Sequence, residues 1–173
     1  MAPEIVMVTA KTKKEQLVSW LVDHSTFFND PPTGDSALLT PKTVVLVHEQ
    51  RRVEIITALL SEKGFRVAGI HGGYSVTQRE TISRQFRERR WDIIVYSNGL
   101  DTYADFPIPK HVVTLDLPPS LTGNQFISSD AIFVNVESVS DMRVVPTLYN
   151  YMVVSRQNIP NWLRSLMPPA YRY

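Results

Sequence analysis

At 173 residues with 43% hydrophobic content, the chain can bury one core, so a single compact domain is expected. Lys and Arg total 18 against 17 Asp and Glu, a formal net charge of +1, so any affinity for nucleic acid must come from local clusters. With no cysteine, disulfide and thiolate-metal chemistry are excluded, which fits a reducing compartment.

In chain order, Met1-Ala2-Pro3-Glu4-Ile5 lacks a basic region followed by an apolar one. No stretch nears the ~20 apolar residues that span a bilayer, so a soluble intracellular chain is expected. Residues 4–9 suit a short strand, and residues 11–22 a helix with Leu17, Val18, Leu21 and Val22 on one face. Residues 25–41, with paired prolines and a Gly-Asp pair, read as an exposed loop. Val44-Val45-Leu46-Val47 opens a fully buried strand over 44–48. The helix over 51–63 carries Val53, Ile56, Leu59 and Leu60 on one face and stops at Gly64.

A strand over 65–70 leads into His71-Gly72-Gly73, read as a turn because successive glycines permit unusual backbone angles. Residues 77–89 form an amphipathic helix with Ile82 and Phe86 inward, followed by a strand over 91–97. Residues 98–110 and 120–130 read mainly as loops, separated by a strand over 111–115. A fifth core strand is expected over 131–136. Residues 142–155 suit a helix with Val145, Leu148, Tyr149 and Met152 inward, beginning close to Pro146 because proline fits only the first turn. A short helix over 158–166 docks Trp162 on the body. This alternation predicts an α/β fold with a parallel sheet.

The order of pieces resembles the C-terminal RecA-like domain of a DEAD-box RNA helicase, most like the Vasa branch. Residues 42–48 are similar to the strand of helicase motif IV. His71-Gly72 with Arg79-Glu80 resembles the family's His-Gly-x-x-x-x-x-x-Arg-Glu segment, and residues 94–118 follow motif V and its sequel. Ile159-Pro160-Asn161-Trp162-Leu163 resembles the family's closing segment, and the paired Lys13 and Lys14 match its lead-in. The resemblance implies a RecA-like parallel sheet with helices on both faces, residues 1–40 being a lead-in and 41–173 the helicase-like domain.

The departures bear on activity. Where the family has Thr-(Asp/Ser) and then Arg-Gly-Leu-Asp, this chain has Ser97-Asn98 and Thr102-Tyr103-Ala104-Asp105. Val76 replaces an expected glutamine and Gly73 an acidic residue. Motif VI, His-Arg-x-Gly-Arg-x-x-Arg in the family, should fall between Pro118 and Phe133, a segment without an arginine. The chain also lacks a Gly-x-x-x-x-Gly-Lys-Ser/Thr phosphate loop of its own. An arginine finger is worth ~10³ to 10⁵ in rate, so no ATP hydrolysis is expected of this chain and no catalytic residue is assigned.

By resemblance, Lys42, Thr43, His71, Gly72, Arg79 and Ser97 are the candidate RNA contacts and Asp105 a residual nucleotide contact. Arg79 is either a phosphate ligand or a solvated helix residue. His71 reads as a turn residue bonded to backbone rather than a base. With no second ligand near it, no metal site is expected. The arginines from Arg84 to Arg90 read as a solvated face, and Trp91 and Trp162 as packing residues. Tyr96, Tyr103 and Phe106 suggest a protein-binding surface.

ATP with Mg would enter only with a first helicase domain. Partners would be RNA, other proteins, or an N-terminal RecA-like domain in cis, with no membrane. A cytoplasmic or nuclear setting, including ribonucleoprotein granules and germline small-RNA (piRNA-type) biology, is the family expectation. The alternatives are the second domain of an active ATP-dependent RNA helicase and a protein-only scaffold.

Overall fold

The structure is a computed structural model that describes residues 3–27, 38–97, 109–118 and 129–171. In chain order its elements are β1 (Glu4–Val8), α1 (Lys13–Asp23), β2 (Thr26–Phe27), β3 (Leu38–Leu39), β4 (Thr43–Val47), α2 (Gln50–Glu62), β5 (Val67–Ile70) and α3 (Val76–Arg87). They continue through β6 (Ile93–Ser97), β7 (His111–Thr114), β8 (Ala131–Asn135), α4 (Val139–Val154) and α5 (Asn161–Leu166).

Every residue of β4, β5 and β6 is buried, which is the pattern of central parallel strands covered on both faces. The six-stranded sheet runs β1-β8-β7-β4-β6-β5, with all its pairs parallel. The lead-in strand β1 therefore forms one edge of the sheet, in register with β8 from Glu4↔Ala131 to Val8↔Asn135.

Period-two alternation divides the strand residues between two cores. Val45, Val47, Ile93, Val95, Val113 and Phe133 pack under α1 and α2 with Leu17, Trp20, Val53, Ile56 and Leu60. On the other face Val44, Leu46, Ile94 and Tyr96 meet Phe86 of α3. Ile132 and Val134 on that face meet Leu148, Tyr149 and Met152 of α4 and Leu163 of α5. The helices thus cover both faces, as expected for this α/β class.

Several sequence expectations are corrected. On α1 the buried residues are Leu17, Trp20 and Leu21, while Val22 is exposed, because the i, i+3, i+4 set lies closer to the sheet than its flank. The loop expected over 25–41 contains an antiparallel pair, Thr26↔Leu39 and Phe27↔Leu38, too short to leave a periodic signal. Residues 28–37, most of the loop expected over 98–110 and most of that over 120–130 lie outside the described residues.

The helix expected to begin near Pro146 begins at Val139, with Pro146 in its interior. The Ser138 side chain accepts the Asp141 N–H at 3.2 Å, and the Asp141 carboxylate accepts the Asn135 N–H at 2.8 Å. This capping fixes the start earlier, and burial of Val145, Leu148, Tyr149 and Met152 holds the helix through the proline. On α5 Leu163 is fully buried, and Trp162 packs partly against the same cluster.

Gly64 ends α2 at φ 91°, as expected of a helix stop. Gly72 and Gly73 do not use left-handed backbone, so this turn does not need the unusual angles expected of successive glycines. Gly73 answers to space instead, since a Cβ there would collide with the Gln50 amide and meet His71 Cε1 at 2.9 Å.

The start of α3 is secured by a reciprocal box: Ser75 Oγ accepts the Gln78 N–H at 3.1 Å and Gln78 Oε1 accepts the Ser75 N–H at 2.8 Å. Ser75→Ala is expected to cost about 1 kcal/mol of stability in a urea titration. An unchanged midpoint would show that tertiary packing alone holds this turn.

Candidate functional site

In a parallel sheet the loops leaving the C-terminal strand ends, and the N-termini of the helices they feed, converge on one edge. That edge is where anionic ligands are best accommodated. Here it carries the ends of β4, β5 and β6 and the starts of α2 and α3.

His71 follows β5 and is 4% exposed. Its Nδ1 lies 2.7 Å from Gln50 Nε2 and accepts the Gly73 N–H at 3.0 Å. Two donors on Nδ1 place the ring proton on Nε2, which faces Glu54 Oε1 at 3.3 Å without hydrogen-bond alignment. The Tyr74 ring packs against the imidazole at a centroid distance of 4.2 Å. His71 is thus a buried linchpin of the β5–α3 turn, in keeping with the turn-residue reading.

Arg79, one turn into α3, donates from Nε to the Tyr74 carbonyl at 3.1 Å. That bond fixes the guanidinium beside the turn and leaves its terminal nitrogens without an ion pair among the described residues. Ser97 ends β6 one residue past the Ile70↔Tyr96 pair, in register with His71, and its hydroxyl donates to the His48 carbonyl at 3.3 Å. His71, Gly72, Arg79 and Ser97 therefore share one edge.

Lys42 and Thr43 do not share it. They sit at the start of β4, at the opposite edge, about 16 Å away at ~3.3 Å per residue. Thr43 is fully buried and bonds the Pro41 carbonyl at 2.7 Å, while Lys42 reaches the Arg87 carbonyl at 3.4 Å and lies 5.5 Å from the Phe86 ring centre. Asp105, Tyr103 and Phe106 lie outside the described residues. Tyr96, read as a partner-facing aromatic, is 3% exposed because its position on β6 turns it into the core under α3. The Trp91 indole donates to Gln85 Oε1 at 3.0 Å and packs on that core, as a packing residue should.

A second group of charges on the same edge was not visible in the sequence. Asp116, just past β7, accepts from Lys13 Nζ at 2.5 Å and from Arg52 Nε and Nη2, each at 3.1 Å. Burial pushes its carboxyl upward, but the Arg52 hydrogen bonds and the Lys13 charge reverse this and hold it below the usual carboxylate range. Nearby Asp141 is pushed the other way, chiefly by burial. Lys13, Arg52, Asp116 and Asn135 line a cleft of about 200 Å³. Because both cations are held by Asp116, they are poorly placed to neutralise a nucleotide's phosphates. No group of three potential metal ligands occurs, and no helix is long and apolar enough to cross a membrane, among the described residues.

Residues 36–132 match the family model for the helicase conserved C-terminal domain. Among curated proteins, the chain is 29% identical over 110 residues to DEAD-box ATP-dependent RNA helicase 21 of Oryza sativa subsp. japonica, covering 64% of this chain and 14% of that protein. It is 26% identical over 133 residues to the ATP-dependent RNA helicase vasa of Drosophila melanogaster, covering 71% of this chain and 20% of the relative. The chain thus spans well under a third of the length of either relative. Among solved structures it is similar to the C-terminal domain of the DEAD-box protein Dbp5, with TM-score 0.62, 16% identity, and 87% and 84% of the two chains covered. It also resembles the yeast DEAD-box splicing factor Prp28, with TM-score 0.71, 15% identity, and 95% and 36% covered.

Proposed function

Since the chain belongs to the helicase conserved C-terminal domain family, as a RecA-like domain of DEAD-box type, we propose that it is a catalytically inert RNA-associating module. The observation that carries this reading is Arg79, tethered to the Tyr74 carbonyl at 3.1 Å beside the capped start of α3. A guanidinium held this way, in the first turn of a helix, binds a backbone phosphate without first being ordered. Gly72 lies in the same turn, and Ser97, buried with its hydroxyl donated to the His48 carbonyl, borders the same edge. Lys42 and Thr43, at the far edge, take no part.

Catalytic silence is supported by charge. The sequence holds no arginine between Arg90 and Arg143, so the stretch from which motif VI would supply its fingers has none. Without positioned cations over the γ-phosphate, phosphoryl transfer lacks its main stabilisation. ATP with Mg would bind only if a first helicase domain brought the phosphate loop.

Protein partners are a further part of the reading, as the C-terminal domain of S. cerevisiae Dbp5 has been solved bound to Gle1 and IP6. The piRNA-type setting rests on the likeness to vasa alone.

The test is fluorescence anisotropy with labelled single-stranded RNA at two salt concentrations. Binding should weaken with salt, and Arg79→Glu should reduce it at least tenfold and flatten the salt slope, because phosphate contacts release counterions. Arg84→Glu, on the exposed side of α3, is the control for net charge. Absence of binding up to ~100 μM, the weak end of non-specific contacts, would leave a protein-only scaffold.

A further inference from the structure

The opposite edge of the sheet carries a row of charges unrelated to that site. The registers Thr43↔His111, Thr43↔Ile93 and Val67↔Ile93 align the residues one step earlier, namely Lys110, Lys42, Asp92 and Arg66, across four neighbouring strands. The ladder continues through them: the Lys110 N–H donates to the Lys42 carbonyl at 2.8 Å, and the Asp92 N–H to the Arg66 carbonyl at 2.8 Å. The Thr43 N–H closes the step between, donating to the Asp92 carbonyl at 2.9 Å. Adjacent members are therefore about 4.8 Å apart.

Asp92 takes up Arg66 through two bonds of 2.7 and 3.1 Å. Lys42 and Lys110 have no carboxylate within ion-pair distance among the described residues.

Arg89 joins the row from the turn after α3. The Arg90 N–H donates to the Gln85 carbonyl at 2.9 Å and the Arg89 N–H to the Phe86 carbonyl at 3.2 Å, which makes Arg89 the left-handed residue closing the helix. Its φ is 62°, in a position where glycine is free of strain and a residue with a Cβ is not. Arg89 brings to the rim a third cation without an ion pair among the described residues. Lys42 is steadied there by the Arg87 carbonyl at 3.4 Å and the Phe86 ring. Together Lys42, Arg66, Arg89, Asp92 and Lys110 line a cleft of about 440 Å³, the scale of a small-molecule site.

We propose that this cleft binds a compact polyphosphate anion. Among the described residues, Lys42, Arg89 and Lys110 leave three positive charges without an ion pair once Asp92 has neutralised Arg66. That exceeds what a carboxylate or a single phosphate matches, and Lys point charges beside an Arg fork suit clustered phosphate oxygens. The site lies a full strand length from Arg79 and stands whether or not RNA binds there.

Sodium tripolyphosphate titrated calorimetrically into the full chain, at low and near-physiological salt, tests the proposal. Saturable, salt-sensitive binding that raises the melting temperature is expected. Arg89→Gly should melt higher than the parent without ligand and yet bind about tenfold more weakly, a pairing that loss of fold cannot produce. Lys110→Gln should also weaken binding, and Arg84→Gln, on the exposed side of α3, should leave it unchanged. The proposal is overturned by absent binding, by Arg89→Gly binding as tightly as the parent, or by orthophosphate binding as tightly as tripolyphosphate. It is equally overturned if single-stranded RNA proves to be the tighter ligand of this cleft.

Discussion

Asp116→Ala is expected to lower stability by about 3 to 5 kcal/mol, because it strands two cations that the fold has largely removed from water. The Lys13 and Asp116 side chains are each 12% exposed and Arg52 27%, so solvent cannot readily replace the lost carboxylate. The lost interactions tie α1, α2 and the end of β7 together across 103 and 64 residues of sequence. Asp116→Asn keeps the shape and should cost less.

The pH dependence follows in sign. The folded pKa of Asp116 lies below its unfolded value. Its contribution is therefore complete above the unfolded pKa and is lost as pH falls through the folded one. Asp141, raised by burial, works in the opposite sense, since ionisation disfavours the folded state and protonation in acid relieves it. Urea titrations of parent and Asp116→Ala should diverge at neutral pH and converge as pH drops below about 4. A gap that persists undiminished in acid would assign the loss to packing instead of charge.

Phe86→Ala is expected to cost about 3 to 5 kcal/mol, the range for truncating a fully buried aromatic. On α3 only Ser83 and Phe86 are fully within the core, with Ile82 partly so, and the remaining positions are largely polar. A helix joined to the sheet by so few apolar contacts depends on each of them. The loss should be local as well as global: hydrogen exchange of the α3 amides should accelerate more than that of β4 or β6. RNA association and tripolyphosphate binding should both weaken, since Arg79 lies in the first turn of this helix and Arg89 closes it. Uniform acceleration across the chain would show that α3 unfolds only with the whole domain.

How much of this was legible beforehand varies with the range of the interaction. The strands over 44–48 and 91–97 and the helix over 51–63 were readable because burial on two faces or on one stripe leaves a pattern in adjacent residues. The His71-Gly72 turn and Arg79 were readable as a motif. The start of α4 is not legible from its proline, because the Ser138 to Asp141 cap fixes the helix a full two turns earlier. Tyr96 was misassigned because which face a strand residue takes depends on register, a property of the assembled sheet. Lys42 and Thr43 stand apart from Arg79 because β4 places its two ends on opposite edges.

Sequence alone determined the α/β class, the order of elements and the absence of arginine between Arg90 and Arg143, all of which are properties of neighbouring residues or of composition. The tertiary structure decided which charges meet. Asp116 finds Lys13 and Arg52, and Lys110 lines up with Lys42, only because parallel pairing brings distant segments to a common edge. Coulomb energy depends on separation and burial, and neither is written in the order of residues along the chain.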